Sequence, residues 1–93
     1  MKVIATAYGQ RHEGDVTFLH EREHGEFGEV LPHGGKTHAE ICFMGDDAGG
    51  IIYTGIARCS QRDNFSRRMG RTIALGRAVK SLRSEGFAVE IVP

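Results

Sequence analysis

The stretch from Cys59 to Gly86, CSQRDNFSRRMGRTIALGRAVKSLRSEG, constrains the fold more than any other part of the chain. It is the one long segment with helical periodicity. Ser60-Gln61-Arg62-Asp63 has capping-box spacing, in which a serine hydroxyl accepts from a free amide and an acid three residues on reaches back. Gly86 supplies a residue that can turn left-handed and end the helix. Between them Phe65, Met69, Thr72, Gly76, Val79 and Leu82 recur at steps of three or four, with Ile73 and Leu75 on the shoulders. The spacing predicts an amphipathic helix of roughly six turns. Gly70, Ala74, Gly76 and Ala78 are small enough to let it sit close to a sheet. The two glycines each cost about 1 kcal/mol of helix stability relative to Ala.

The remaining segments read as strands. KVIATAYG (2–9) alternates, and Gln10 to Gly14 reads as a polar turn ending in Gly-Asp. Asp15 to Arg22 gives a second strand, with Val16, Phe18 and His20 on one face. Residues 23–37 form a Gly- and charge-rich excursion, and loops of that length are usually functional or mobile. HAEICFM (38–44) alternates as a third strand, and GDDAGG (45–50) is a turn by composition, with Asp46 and Asp47 solvated in it. GIIYTGIA (50–57), β-branched and aromatic, is the best candidate for a central strand. FAVEIV (87–92) closes the chain. The order β-β-β-β-α-β implies one α+β domain over residues 1–93, a mostly antiparallel four- to five-stranded sheet with the long helix on one face.

Composition places the chain among ordinary globular domains, at 40% hydrophobic and 26% charged residues. No apolar run reaches the roughly 18 residues needed to span a bilayer, and the start is too short and too alternating for a signal peptide. Two cysteines without a secretion signal suggest free thiols and a cytoplasmic location. Cys42 and Cys59 read as small apolar core residues at strand positions. The neutral total hides an asymmetry. Residues 1–50 carry four basic side chains against nine acidic ones, and residues 51–93 carry eight against three. That separation points to a polyanionic partner or to head-to-tail self-association. The alternative is that the acidic half lies over the basic helix and neutralises it.

Seven of the eight basic residues in the second half are Arg, whose planar fork suits phosphate or carboxylate. Arg58 and Arg62 flank the expected helix start, where free amides and the dipole favour an anion. Arg67, Arg71 and Arg77, with Ala74, Ala78 and Ser81, read as a polar stripe facing away from the apolar side. Arg68, Lys80 and Arg83 sit nearer its boundary and can lay their stems across it. These five residues, Arg58, Arg62, Arg67, Arg71 and Arg77, are the candidate surface for nucleic acid or an acidic protein. Aromatic interleaving is thin, with only Tyr8 and Tyr53 as candidates for a sheet face, so backbone contacts are expected rather than base readout.

The string Cys59-x3-Asp63-x-Phe65-x4-Gly70-Arg71-x2-Ala74-x-Gly76-Arg77-Ala78 resembles a segment of small, uncharacterised bacteriophage-encoded proteins, in which a strand ending in Cys runs into a GR-x-x-A-x-GRA helix. The similarity covers about a third of the chain and leaves out the amino-terminal half. It implies a phage or prophage accessory protein acting in the host cytoplasm, where antagonising or redirecting host machinery is a common role. No activity is carried over by it.

One motif argues for a different class. His20-Glu21-Arg22-Glu23-His24 matches H-E-x-x-H, which on a helix sets two imidazoles on one face to bind zinc. Here the flanking residues alternate as a strand, which would hold the two imidazoles about 13 Å apart. That is too far for bonds of about 2 Å to one metal. His20, His24, His33 and His38 are therefore only weak ligand candidates, and no cofactor is expected, zinc included. Phosphate-cradling and nucleophile-elbow motifs are absent. Cys59, beside Arg58 and Arg62, would be the only thiol placed for acidification. The residues read as a non-enzymatic binding protein, with a host-protein partner, self-assembly or a histidine metal site as alternatives, and a zinc-dependent hydrolase at His20-Glu21-x-x-His24 as the enzyme reading left open.

Overall fold

Alternation of Val3 and Ala5 with Ile4 and Thr6 produces the first strand, β1 (Lys2–Ala7), and the chain then reverses at Tyr8-Gly9. Both turn residues have positive φ, 52° and 75°, and Ala7 pairs directly with Gln10. This is a two-residue type I′ hairpin, whose twist matches that of its strands. The expected turn at 10–14 is therefore strand, and β2 runs unbroken over Gln10–Glu21. Gly14 serves space rather than turning: a Cβ there would sit 2.7 Å from the Phe43 ring and 2.8 Å from Ile41. The computed structural model describes residues 1–44 and 50–93. The turn expected at 45–50, with Asp46 and Asp47, lies almost wholly outside the described residues.

The other strands are β3 (Lys36–Met44), β4 (Gly50–Arg58) and β5 (Ala88–Val92), with one helix, α1 (Arg67–Ser84), between the last two. All pairings are antiparallel, in the order β4-β3-β2-β1-β5. The expected α+β architecture is thus present, with five strands and one helix on the sheet. β4, however, is an edge strand rather than a central one. A meander lays consecutive strands side by side, so the fourth ends on the border, and α1 carries the chain back to deliver β5 beside β1. The first half of β4 is poorly covered on both faces, with Ile51 and Ile52 62% and 56% exposed.

The pairing register fixes which side chains meet α1. Val3 and Ala5 from β1, Thr37, Ala39 and Ile41 from β3, and Ala57 from β4 are buried on that side against Ala74, Leu75, Ala78, Val79 and Leu82. The helix is turned relative to its sequence pattern. Ala74 and Ala78, which the polar stripe assigned to solvent, are fully buried, while Met69 and Gly76 of the apolar series face outward. The reason is closeness. At Gly55 the helix backbone lies so near β4 that an added Cβ would overlap the Ala74 carbonyl and the Ala78 amide. Ala74 and Ala78 occupy that contact together with the Arg77 Cβ. Apolar residues lie all round this helix, so periodicity alone did not select the face.

The ends of α1 are also set by local chemistry. Ser66, in extended conformation, caps it, its Oγ accepting from the Met69 amide at 3.2 Å. The Ser60 to Asp63 box is a separate turn instead. Ser60 accepts from the Arg62 amide through Oγ and from the Asp63 amide through its carbonyl. At the other end Gly86 has φ 95°, its amide reaching the Arg83 carbonyl and the Phe87 amide that of Leu82, a Schellman arrangement. Tyr53 donates to the Glu85 carboxylate, tying β4 to this terminus.

Two stability predictions follow from these contacts. Gly55→Ala should lower stability by about 1–3 kcal/mol by forcing the helix off the sheet, measured by chemical denaturation; an unchanged midpoint would contradict the close approach. Tyr8→Asn should raise stability by about 1 kcal/mol, since Asn tolerates the left-handed region better. A loss of stability on that change would contradict the turn assignment.

Candidate functional site

The segment from Arg22 to Gly35 is not a free excursion. Residues 23–31 fold back as a small hairpin through a His24–Val30 bridge and a Leu31 amide bond to the Glu23 carbonyl. Residues 32–35 then run along 59–65: Cys59 N–H donates to Gly35, Gly34 N–H to Asp63, and Phe65 N–H to Pro32. The two loops form an irregular continuation of the β3–β4 ladder beyond Lys36 and Arg58. Phe65 is their anchor. Gly35, at φ 93°, leaves room for it, because a Cβ there would meet the ring at 3.0 Å and the Glu21 carbonyl at 2.7 Å.

Around Phe65 gather the groups with chemistry to offer. His20, on the helix side of β2, meets the ring edge-on at 5.7 Å between centroids. Arg22 lays its guanidinium over the same ring, 4.4 Å from the centroid, and donates through Nη2 to the Leu31 carbonyl. From α1, Arg71 stacks on Phe18 at 5.4 Å and donates through Nε to His20 Nε2 at 3.2 Å. An arginine Nε–H only donates, so His20 Nε2 must accept. The ring is then neutral with its proton on Nδ1, which donates to Thr37 Oγ1 at 2.9 Å. Thr37 is the one buried polar side chain among the described residues, and Gly70 lets the helix pass directly over its hydroxyl. Partial burial, followed by Arg71, Arg67 and Arg22, holds the His20 pKa below the usual 6.5.

The five sequence-predicted arginines are thereby divided. Arg67 and Arg71 come together over β2, joined by Arg22 and His20, neither of which the helix pattern identified. Arg77 points the other way, reaching across the border of the sheet to donate to the Ile56 carbonyl of β4. Arg58 is exposed at the end of β4 and pairs across to Lys36 on the sheet face opposite α1. Arg62 is exposed in the loop. No single stripe contains all five. Tyr8, at the β1–β2 turn, lies at the far end of β2 from His20, and Tyr53 packs edge-on against Phe43 on the helix side.

Acidic groups are elsewhere. On the sheet face opposite the helix, Glu13 pairs with Lys2 and Arg11, and Glu21 with Lys36 and His38. Lys36, with His38 adding to it, holds the Glu21 carboxyl below the usual carboxylate range. Among the described residues no arginine from Arg58 to Arg83, nor Arg22, has an acidic oxygen within 4.0 Å. Among the described residues the acidic half forms no ion pair with the basic helix. The first turn of α1 carries no acid either, although Arg67 and Arg68 open it. Positive charge there opposes the helix dipole.

The histidines do not converge on a metal. His20 faces α1, His38 the opposite side of the sheet, and His24 and His33 sit in the two loop bridges. Among the described residues no three His, Cys, Asp or Glu side chains are placed to share an ion. Cys42 is on the face away from the core, half-buried beside Met44 Sδ at 3.8 Å, because its register position alternates with buried Ile41. Cys59 Sγ lies 3.4–3.6 Å from the carbonyl oxygens of Ser60, Asp63 and Asn64. Such a ring of acceptors suits a thiol that donates its proton. A cleft of about 480 Å³ opens beside it, lined by Cys59, Asp63, Phe65, Met69 and Ile73.

No protein-family model, no curated protein and no solved structure matches this chain. No helix among the described residues is long and apolar enough to cross a membrane.

The His20 contacts predict a pH dependence. A depressed pKa stabilises the fold above 6.5 and that contribution is lost as pH falls through the folded value. Thermal melting should therefore show the wild type losing stability between about pH 7 and pH 5, and His20→Gln losing less over that interval. Parallel profiles would contradict the neutral, Arg71-bonded imidazole.

Proposed function

We propose that this chain is a small non-enzymatic accessory domain, of phage type, that binds nucleic acid or another polyanion through the basic amino-terminal half of α1. One observation carries the reading. The five arginines of the helix have no acidic partner among the described residues, and two of them occupy a first turn whose dipole already favours an anion. Charge left uncompensated in this way costs folding free energy, and an incoming polyanion removes that cost. The resemblance of the Cys59–Ala78 segment to phage-encoded proteins supports an accessory role in the host cytoplasm. An acidic host protein would meet the same charges.

A second reading, self-association, is favoured by the border of β4, which pairs with no further strand among the described residues. Gly50-Ile51-Ile52-Tyr53-Thr54 contains none of the Lys, Pro or bulges that usually protect an edge strand. The molecule is also extended, with a radius of gyration of 15.4 Å. A compact chain of this length would have about 12 Å.

Binding to mixed single-stranded and duplex nucleic acid, followed by fluorescence anisotropy, should weaken with salt with a log–log slope of about −3, as for three or four phosphates. Replacing Arg67, Arg68 and Arg71 together by Gln should abolish it. No binding at low salt, with a concentration-dependent mass that Ile52→Lys abolishes, would replace this reading by self-association through β4.

A further inference from the structure

We infer that His20, Arg22, Arg67 and Arg71 form one phosphodiester-binding subsite, set between the end of β2 and the first turns of α1, in which an anion displaces the Arg71–His20 hydrogen bond. The inference rests on the polyanion reading above and narrows it to one pocket of side chains and one chemical class.

The geometry is that of a site with its donors already in place. Arg22 and Arg71 each lie against an aromatic ring, Phe65 and Phe18, and each spends one group on an internal partner. A stacked guanidinium loses little further freedom on binding. Arg71 uses Nε on His20, leaving both terminal nitrogens for a ligand. Arg22 uses Nη2, and its Nε is buried with no hydrogen-bond partner. Arg67 is exposed one helical turn before Arg71, on the same flank.

Three fixed positive charges therefore surround one imidazole, drawn from two elements that meet only in the folded protein. A single carboxylate could offset one of them. A tetrahedral phosphate group, approached from several directions and repeated along a strand, fits the arrangement better. Arg71 donating to a neutral imidazole is a placeholder contact, weaker than the charge-assisted bond that either group would make to an oxyanion. When phosphate oxygen takes the place between them, Nε2 gains a proton and donates, and Arg71 turns its fork to the same group. The groups facing His20 are Arg71 and Arg67 from α1, Arg22 from the end of β2, and the uncharged Thr37 hydroxyl from β3. No acid among them favours the imidazolium in the free protein, so the ligand has to supply that stabilisation. Binding is accordingly linked to uptake of one proton.

The probe is a labelled mixed-sequence DNA oligonucleotide, single-stranded and duplex, titrated by anisotropy at constant ionic strength between about pH 8 and pH 5.5. Its phosphodiesters do not ionise over that range, so any linkage belongs to the protein. The wild type should bind about tenfold tighter at the acid end, equivalent to roughly one proton taken up per tenfold over one pH unit. His20→Gln should bind at the alkaline end and lack the pH dependence. Arg22→Gln and Arg71→Gln should each weaken binding about tenfold and reduce the salt slope by about one, and Arg83→Gln, at the far end of the helix, should change neither. Arg71→Lys keeps the charge without the fork and should recover only part of the loss, which tests the site even if Arg71→Gln unfolds. Salt-dependent binding that all of these variants retain, with pH dependence persisting in His20→Gln, would overturn the subsite and leave the polyanion reading standing. Absence of binding at every pH would overturn both. Tighter capture of polyglutamate than of DNA would overturn the phosphate assignment in favour of an acidic protein partner.

Discussion

The approach of the α1 backbone to β4 at Gly55 is the constraint on which the rest of the structure depends. With no side chain at Gly55, the helix settles until its Ala74 carbonyl and Ala78 amide lie where a Cβ would be. That closeness puts Ala74, Ala78 and the Arg77 Cβ against the strand, and so it sets the rotation of the whole helix. Leu75, Val79 and Leu82 are then turned over the middle of the sheet, closing a core with Val3, Ala5, Ala39 and Ile41. Gly70 repeats the device about one turn before Ala74, above Thr37.

The same rotation decides where the positive charge goes. Arg71 lies on the sheet-facing flank, where the helix extends past the packed core, so it projects over β2 and lands on Phe18 and His20. Arg77 lies on the other flank and wraps the border of β4. Meanwhile strand alternation sends Glu13 and Glu21 to the opposite face, where Lys2, Arg11, Lys36 and His38 occupy them. A chain of zero net charge thereby has the ion pairs of its described residues on one sheet face, and on the other a helix whose arginines have no acid to meet among those residues. Local parity and one close contact are sufficient to produce that division.

Much of the fold is legible from residue patterns. The element order, the antiparallel sheet and the single covering helix follow from alternation in 2–9, 15–22, 38–44 and 50–57 and from the long periodic run. Boundaries are less so. Tyr8 in a type I′ turn contradicts its own steric preference, and Ser60-x-x-Asp63 is a good cap in sequence that folds as an isolated turn because 59–65 are recruited to pair with 32–35. The helix face is hidden for a different reason: a backbone contact, not hydrophobicity, selects it. Of the candidate site, Arg67 and Arg71 are visible as part of a basic run. His20 and Arg22 are not, since 47 or more residues separate His20 from Arg67 and only packing joins them. The one available hint was parity, which places His20 on the same side of β2 as Val16 and Phe18.

Helix rotation places Arg71 against a neutral His20. Long-range proton–nitrogen NMR correlation reads the tautomer of that imidazole directly. At about pH 7.5 the ring should be neutral and protonated on Nδ1, with Nε2 unprotonated and coupled through space to the Arg71 Nε–H. A ring protonated on Nε2 would mean that Arg71 does not donate to it, and the helix rotation, the subsite and the proton linkage would fall together.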